Sequence, residues 1–159
     1  MFGKPFSAYV RFAGLSLAII AGVALLRLVL GMAGLSPSFG KILSVTYVLL
    51  LCALVWSARV HTTGFGSYKQ ILPVVWLQAA TASIVIMAAI ALAIFTGQDN
   101  IYTVPEFTRG APGRNWGHVA GHLIFGCVIG PLFLWALGSL VMLVTKTVSR
   151  GPTAQRPAA

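Results

Sequence analysis

The side chains with the greatest capacity for chemistry are concentrated in residues 96–122, which read TGQDNIYTVPEFTRGAPGRNWGHVAGH. Both carboxylates of the chain, two of its three histidines and two of its arginines fall in this stretch: Asp99, Glu106, His118, His122, Arg109 and Arg114. Imidazole and carboxylate groups are the common ligands of metal ions and the common groups for proton transfer. The rest of the chain is mostly apolar, so its elements are expected to position this segment.

The histidine pair is the first candidate site. His118 and His122 are four residues apart, so their side chains share one face of a helix and can bind one metal ion or join one hydrogen-bond network. No spacing fixes the further ligands, which would have to come from Asp99, Glu106, Met32 or Tyr102. A haem held by two histidines of one chain is excluded, because this pair points one way and His61 belongs to the opposite side of the membrane. The sequence therefore requires no cofactor, but it leaves a metal or haem site open.

Motifs of catalysis are missing from the sequence. There is no GxSxG nucleophile motif, and neither Cys52 nor Cys127 has a histidine near it in sequence. The short turn Gly64-Phe65-Gly66 lacks the longer glycine pattern of a phosphate-binding loop. These observations favour a protein that is not an enzyme.

Composition places the chain in a membrane. Hydrophobic residues make up 58% of it and charged residues only 8%, and the mean hydropathy is +0.91. A helix needs about 20 apolar residues to cross the hydrocarbon core, so 159 residues can hold four spans and no soluble domain. The formal net charge of +9 comes from basic residues at helix ends and in the tail. Contact with anionic lipid explains these residues, and no binding of nucleic acid is expected.

Four apolar segments predict an all-α fold, a four-helix transmembrane bundle. We place the spans at about residues 12–35, 42–58, 71–95 and 116–144, inside a membrane domain of residues 1–150, and we expect a disordered basic tail at 151–159. Lysine and arginine are concentrated in the N-terminal segment, the second loop and the tail. This distribution favours cytoplasmic termini and a long outer loop between the third and fourth helices. The expected location is the inner (plasma) membrane of a bacterium.

A polar layer is expected in the outer leaflet. At about 1.5 Å of rise per residue, Arg27, Tyr47 and His122 reach similar depths beneath the outer loop. A charge within a span usually faces protein or a cavity, although the long side chain of Arg27 can also reach the headgroups. We expect one of the two carboxylates to neutralise Arg27 or Arg114, and the outer loop to form a lid or a cap. The candidate network and lid comprise Arg27, Tyr47, Asp99, Glu106, Arg109 and Arg114.

Small residues recur at four-residue intervals in the first and fourth spans, at Gly14, Ala18 and Gly22, at Gly117 and Gly121, and at Gly126 and Gly130. Such spacing lets membrane helices pack closely. Because this surface exceeds what one bundle needs, the leading hypothesis is a non-catalytic accessory or structural subunit, in contact with lipid and other membrane proteins. Two alternatives remain open. One is a redox or metal-binding protein that uses the histidine pair; the other is a lipid or small-solute handling protein with a pocket under the 96–117 loop.

Overall fold

The computed structural model describes residues 1–34, 42–108 and 110–149, and every regular element in these ranges is helical. Three long helices come first, namely α1 (Phe6–Met32), α2 (Val45–Thr62) and α3 (Tyr68–Thr96), and they are followed by the short α4 (Pro105–Thr108). The last span runs over Trp116–Ser149. It consists of α5 (Trp116–Gly121), a π-helical segment (His122–Ile129) and α6 (Gly130–Ser149).

Four helices are long and apolar enough to cross a membrane, which confirms the predicted all-helical membrane fold. Their ends differ from the predicted ones. The first helix begins at Phe6 instead of about residue 12, because extended Pro5 precedes it and Tyr9 is already buried in the bundle. The second and fourth spans continue to Thr62 and Ser149, past the predicted residues 58 and 144. The predicted tail, 151–159, lies outside the described residues.

The helix α3 lies at the centre of the bundle and contacts each of the other three spans. Its middle is rich in small side chains, and several of them are buried: Ala79, Ala80, Ala82, Ser83, Ala89 and Ala93. Helices already in lipid gain little from the hydrophobic effect when they associate, so close van der Waals packing has to hold them together. The small side chains of α3 permit this packing on several sides at once.

Two glycines of the fourth span lie directly against other helices. A Cβ atom added at Gly126 would collide with the hydroxyl of Ser83 on α3, and one added at Gly138 would collide with the hydroxyl of Ser57 on α2. The backbones approach this closely only because no side chain stands between them. Gly126 is thus one of the predicted packing glycines at a helix contact, whereas Gly138 is a contact that the small-residue spacing did not indicate.

The other small residues with a predicted packing role have different surroundings. Beyond its own helix, a Cβ atom at Gly14, Gly22 or Gly121 would meet no described atom within 4 Å, and Ala18 is exposed. Gly117 and Gly130 lie against atoms of their own segment. The stripe on α1 therefore points away from the bundle. The face of α1 that is buried in the bundle consists instead of Tyr9, Ala13, Ser16, Ile20 and Ala24.

The fourth span changes from α-helical to π-helical geometry at His122, and the π-helical segment ends just before Pro131. Proline has no amide proton, so the carbonyl of Cys127, four residues earlier, loses its α-helical donor. The indole N–H of Trp76 on α3 donates to that carbonyl at 3.0 Å. This bond satisfies a backbone group that lipid cannot satisfy. Segments of π-helix are frequent at functional sites, and this one begins at a candidate site residue.

Both described chain ends lie at one end of the bundle. The side-chain amide of Gln70 donates to the carbonyl of Phe2 at 2.9 Å, and Lys146 Nζ lies 4.1 Å from the centre of the Tyr68 ring. Residues 97–115, the connecting loop, join α3 to the fourth span at the opposite end, which we call the loop end.

Candidate functional site

Part of the connecting loop is inserted into the bundle. Residues 100–103, which we call the plug, are all buried, with at most 7% of any residue exposed. The Tyr102 hydroxyl donates to the carbonyl of Ala24 on α1, and the Asn100 side-chain amide donates to the carbonyl of Ala89 on α3, each at 2.7 Å. The plug therefore ties α1 to α3 at the loop end.

Two glycines let the plug approach its neighbours. A Cβ atom added at Gly113 would lie 2.6 Å from the Cα atom of Thr103, and one added at Gly31 would lie 2.8 Å from the Cβ atom of Ile101. Both distances are far below van der Waals contact. Neither position can therefore take a side chain unless the plug moves.

A cavity of about 420 Å³ lies beneath the connecting loop. Its described lining comes from all four spans and from the loop: Arg27, Ser44, Val45, Thr46, Tyr47, Ile86, Tyr102, Phe107, His118 and His122. The cavity lies between the first turn of α2 and the start of the fourth span. Beyond the cavity, α2 packs against α6, the later part of that span. The structure thus brings Arg27, Tyr47 and His122, for which the sequence predicts a common depth, to one cavity.

Arg27 carries the one permanent positive charge among the described lining residues. Its guanidinium carbon lies 4.4 Å from the ring centre of Phe107 and 5.2 Å from that of Tyr102. Its Nε atom is buried and has no hydrogen-bond partner in the part of the chain that the structure describes. The side chain therefore lies against protein at the cavity instead of extending freely to the headgroups, and the two ring faces replace part of its hydration.

Neither carboxylate belongs to the described lining of this cavity. Asp99 is exposed, and its Oδ1 atom accepts a hydrogen bond from the Thr103 hydroxyl at 3.0 Å. Glu106 is exposed on the short α4. The expected neutralisation of Arg27 by a carboxylate is thus replaced, within the described residues, by aromatic contacts.

The remaining members of the predicted network have other surroundings. The Arg114 guanidinium donates to the carbonyl of Gly97 and so joins the two ends of the connecting loop. Tyr47 lies at the rim of the cavity with 66% of its surface exposed. Arg109 lies outside the described residues. The link at Arg114, together with the buried plug, fits a loop that acts as a cap.

The two histidines line the cavity from the fourth span. Their ring centres are 5.1 Å apart, and His118 Nδ1 lies 2.8 Å from the carbonyl oxygen of Gly113. Because a carbonyl oxygen can only accept, Nδ1 carries the proton in this bond, and Nε2 of the neutral ring is an acceptor. The His118 backbone N–H donates to Asn115 Oδ1 at 2.9 Å. This bond caps α5 and fixes the position of the His118 backbone in its first turn. The loop thus sets both the position and the tautomer of His118.

A metal site would need more ligands than this pair. In residues 1–34, 42–108 and 110–149, no group of three or more His, Cys, Asp or Glu side chains is placed to hold a metal ion. Structural zinc takes four protein ligands and catalytic zinc takes three. Within the described residues, His118 and His122 are therefore a pair without a third ligand of these four types.

Beside the predicted Tyr47, the start of α2 contributes three residues to the cavity wall that were not predicted, namely Ser44, Val45 and Thr46. Ser44 is the N-cap of α2, and its hydroxyl accepts from the Tyr47 N–H at 3.5 Å. Serine is a preferred N-cap residue, so Ser44 was the available signal. The predicted span began at residue 42, and that start placed the helix end too early.

Comparison of the chain with protein families, with curated proteins and with solved structures finds no match. The fold defines the class, an all-helical protein with four helices able to span a membrane and therefore to contact lipid.

The environment of Tyr102 has a measurable consequence at alkaline pH. Burial raises the pKa of its hydroxyl to about 12, and the neighbouring Arg27 charge offsets only part of this rise. The ordinary pKa of tyrosine is about 10, so the folded state favours the neutral phenol. This contribution to stability is fully present below the ordinary pKa and is lost as the pH rises through the raised one.

We expect the tyrosinate absorbance of the wild type minus that of a Tyr102→Phe variant to show a single transition at about pH 12. The subtraction removes the signals of the other three tyrosines. A difference transition near the ordinary value of about 10 would contradict the buried position of this side chain.

Proposed function

We propose that the protein binds an anionic amphiphile, either a lipid or a small lipophilic solute, in the cavity beneath the connecting loop. The observation that carries this proposal is Arg27, a charged side chain within a span that lies at a cavity without a carboxylate in its described lining. In this view the cavity is a binding site and Arg27 holds the anionic group of the ligand.

Arg27 lies within α1, near the end of that helix at Met32. A charge in a span costs up to about 2.5–3.5 kcal/mol at the middle on insertion scales, and less towards the ends. A cation–π contact returns about 0.5–2 kcal/mol. The rings of Tyr102 and Phe107 therefore offset part of the cost but do not neutralise the charge. A bound anion in the cavity would supply the opposite charge.

The size and position of the cavity suit the polar end of such a ligand. Its volume of about 420 Å³ lies at the small end of the usual range for ligand pockets, about 300–1,000 Å³. Tyr47 at the rim has most of its surface exposed on a membrane-spanning helix. We therefore expect the headgroup to enter past Tyr47 while the apolar chains stay in the bilayer.

Replacing Arg27 by methionine tests this proposal. Methionine keeps the unbranched stem and removes the charge, so we expect binding of a fluorescent phosphatidylglycerol to weaken by roughly tenfold to a hundredfold, the value of one charge-assisted hydrogen bond. The measurement is equilibrium binding to the purified protein in mild detergent, with phosphatidylcholine as the zwitterionic reference.

The matched control is Arg11→Met, at the other end of the same helix, where the side chain is exposed and distant from the cavity. The control should bind like the wild type. Equal binding by wild type and Arg27→Met, or equal affinity of the wild type for the two lipids, would contradict the proposal.

We propose the bacterial inner membrane as the location, with both termini cytoplasmic. Support comes from the described basic residues at the terminal end of the bundle, which are Lys4, Arg11, Arg59, Lys69 and Lys146. Arg114 is the described basic residue of the connecting loop. A cysteine at Thr108 should then react with a membrane-impermeant maleimide added outside intact cells, and a cysteine at Arg11 should not. The reverse labelling would invert the orientation.

An accessory role in a larger membrane assembly is the second candidate. It is favoured by the stripe Gly14, Ala18 and Gly22, which points away from the bundle and has no described side chain over its glycines. Small residues on an outward face permit a helix of another subunit to approach closely. Purification from native membranes as a lone monomer would argue against this role, and a companion lost in a Gly22→Val variant would support it.

A further inference from the structure

We infer that the anionic group of the ligand is a phosphomonoester, and that His118 and His122 distinguish it from other anions. The inference rests on the proposed function and names the chemical class of its ligand. It starts from the observation that one cavity is lined both by a fixed cation, Arg27, and by two imidazoles from a different helix.

The guanidinium of Arg27 and the two imidazoles need different hydrogen-bond partners. Arg27 is a donor only, with a buried Nε that no described residue satisfies. His118 has its Nδ1 proton committed to the Gly113 carbonyl at 2.8 Å, so the Nε2 atom of its neutral ring is an acceptor. The ring of His122 lies beside it, 5.1 Å away between centres. A ligand that matches this cavity therefore presents an anionic oxygen and a hydroxyl that can donate.

A phosphomonoester has both features. Its second ionisation lies near pH 6, so around neutrality the group exists as a monoanion with a P–OH and as a dianion. The monoanion accepts from Arg27 through a charged oxygen and donates its P–OH to His118. A dianion that meets a protonated imidazole has the same number of protons and the same total charge, so either form fits.

Other common anions satisfy only half of the cavity. A phosphodiester bears one charge and no P–OH, so it pairs with Arg27, but it can hydrogen-bond to Nε2 of His118 only if the imidazole takes up a further proton. A carboxylate has the same shortcoming, because it loses its only proton when it becomes an anion. Among the described lining residues there is no carboxylate to compete for Arg27. Ser44, Val45 and Thr46 line the cavity at the N-terminus of α2. The positive end of the helix dipole suits any of these anions and so does not discriminate between them.

The test is a panel of probes with the full-length wild-type protein in mild detergent. Phosphatidic acid carries a phosphomonoester, phosphatidylglycerol a phosphodiester and oleate a carboxylate. We expect phosphatidic acid to bind about tenfold more tightly than the other two, the value of one further hydrogen bond to a charged group. Glycerol 3-phosphate, added as a competitor, shows whether the phosphomonoester is recognised without acyl chains. If it competes, the ligand is a soluble phosphomonoester; if it does not, the ligand is a lipid. Both results support the inference.

Variants of the two histidines test whether the imidazoles cause the preference for phosphatidic acid. In a His118→Phe/His122→Phe variant we expect the preference for phosphatidic acid to fall to about twofold or less, which is the part contributed by its extra charge. Binding should remain dependent on Arg27. His61→Phe, at the far end of α2, should keep the full preference.

The outcomes separate this inference from the proposed function. Equal binding of phosphatidic acid and phosphatidylglycerol, with loss of both in Arg27→Met, would overturn the phosphomonoester assignment and leave the anion site standing. A preference that survives in the double histidine variant would overturn the role of the histidines. No preference of the wild type for any anion over phosphatidylcholine would overturn both. The wild-type comparison needs no variant, so it decides the assignment even if the double variant fails to fold.

Discussion

Replacing Gly113 by alanine is expected to expel the plug from the bundle. The added Cβ atom would lie 2.6 Å from the Cα atom and 2.7 Å from the carbonyl carbon of Thr103. These are backbone atoms, so no change of side-chain rotamer relieves the collision. We expect a loss of about 3 kcal/mol or more, at or above the upper end for an overpacked site, concentrated at the loop end.

The measurement is hydrogen–deuterium exchange of residues 100–103 in detergent. Their protection should fall by about a hundredfold, which corresponds to about 3 kcal/mol. The pKa of Tyr102 should also return towards its ordinary value, since the burial that raises it is lost. Gly121→Ala is the matched control, because no described atom beyond its own helix lies within 4 Å of a Cβ atom there. Unchanged protection in Gly113→Ala would contradict the close approach of the loop to the plug.

Replacing Gly138 by valine is expected to separate the fourth span from α2. The first added carbon would collide with the Ser57 hydroxyl and lie 3.1 Å from Ile71 Cγ2 on α3, and valine adds two more carbons. Overpacking of this kind costs about 1–3 kcal/mol and sometimes more. Because the collision involves two neighbouring helices, we expect a loss of about 3 kcal/mol in unfolding by a denaturing detergent.

Two companion variants make this prediction sharp. Gly22→Val puts the same side chain on the outward face of α1, where no described atom lies within 4 Å, and should cost far less. Ser57→Ala removes a buried hydroxyl that has no described partner, so it should cost little alone and should relieve part of the Gly138→Val penalty. Additive effects of the two changes would show that Ser57 and Gly138 are not in contact.

Hydropathy and composition alone are enough to predict that the chain is helical and lies in a membrane. Lipid cannot satisfy backbone hydrogen bonds, so long apolar segments have to be helices, and the composition leaves little else. Because the rise per residue in a helix is constant, the sequence also gives the depth of each side chain in the membrane. For this reason Arg27, Tyr47 and His122 could be placed at one level, and the structure has them around one cavity.

The rotation of each helix about its own axis could be decided only by the tertiary structure. In a soluble protein, the polar face of a helix shows which side is buried. The spans here are apolar on all sides, so the sequence carries no such mark. That is why the sequence left open whether the stripe of Gly14, Ala18 and Gly22 faces the bundle or a partner. In the structure this stripe faces outward, and Gly138 makes a contact inside the bundle.

The tertiary structure also decided what surrounds Arg27. Sequence distance says nothing about how an irregular loop folds back, so the carboxylates were the natural partners of the charge. The plug instead brings Tyr102 to Arg27, with Phe107 beside it, and leaves Asp99 and Glu106 exposed. This arrangement results from the burial of loop residues 100–103, in which Asn100 bonds to the carbonyl of Ala89 and Tyr102 to that of Ala24, 78 residues away in the chain.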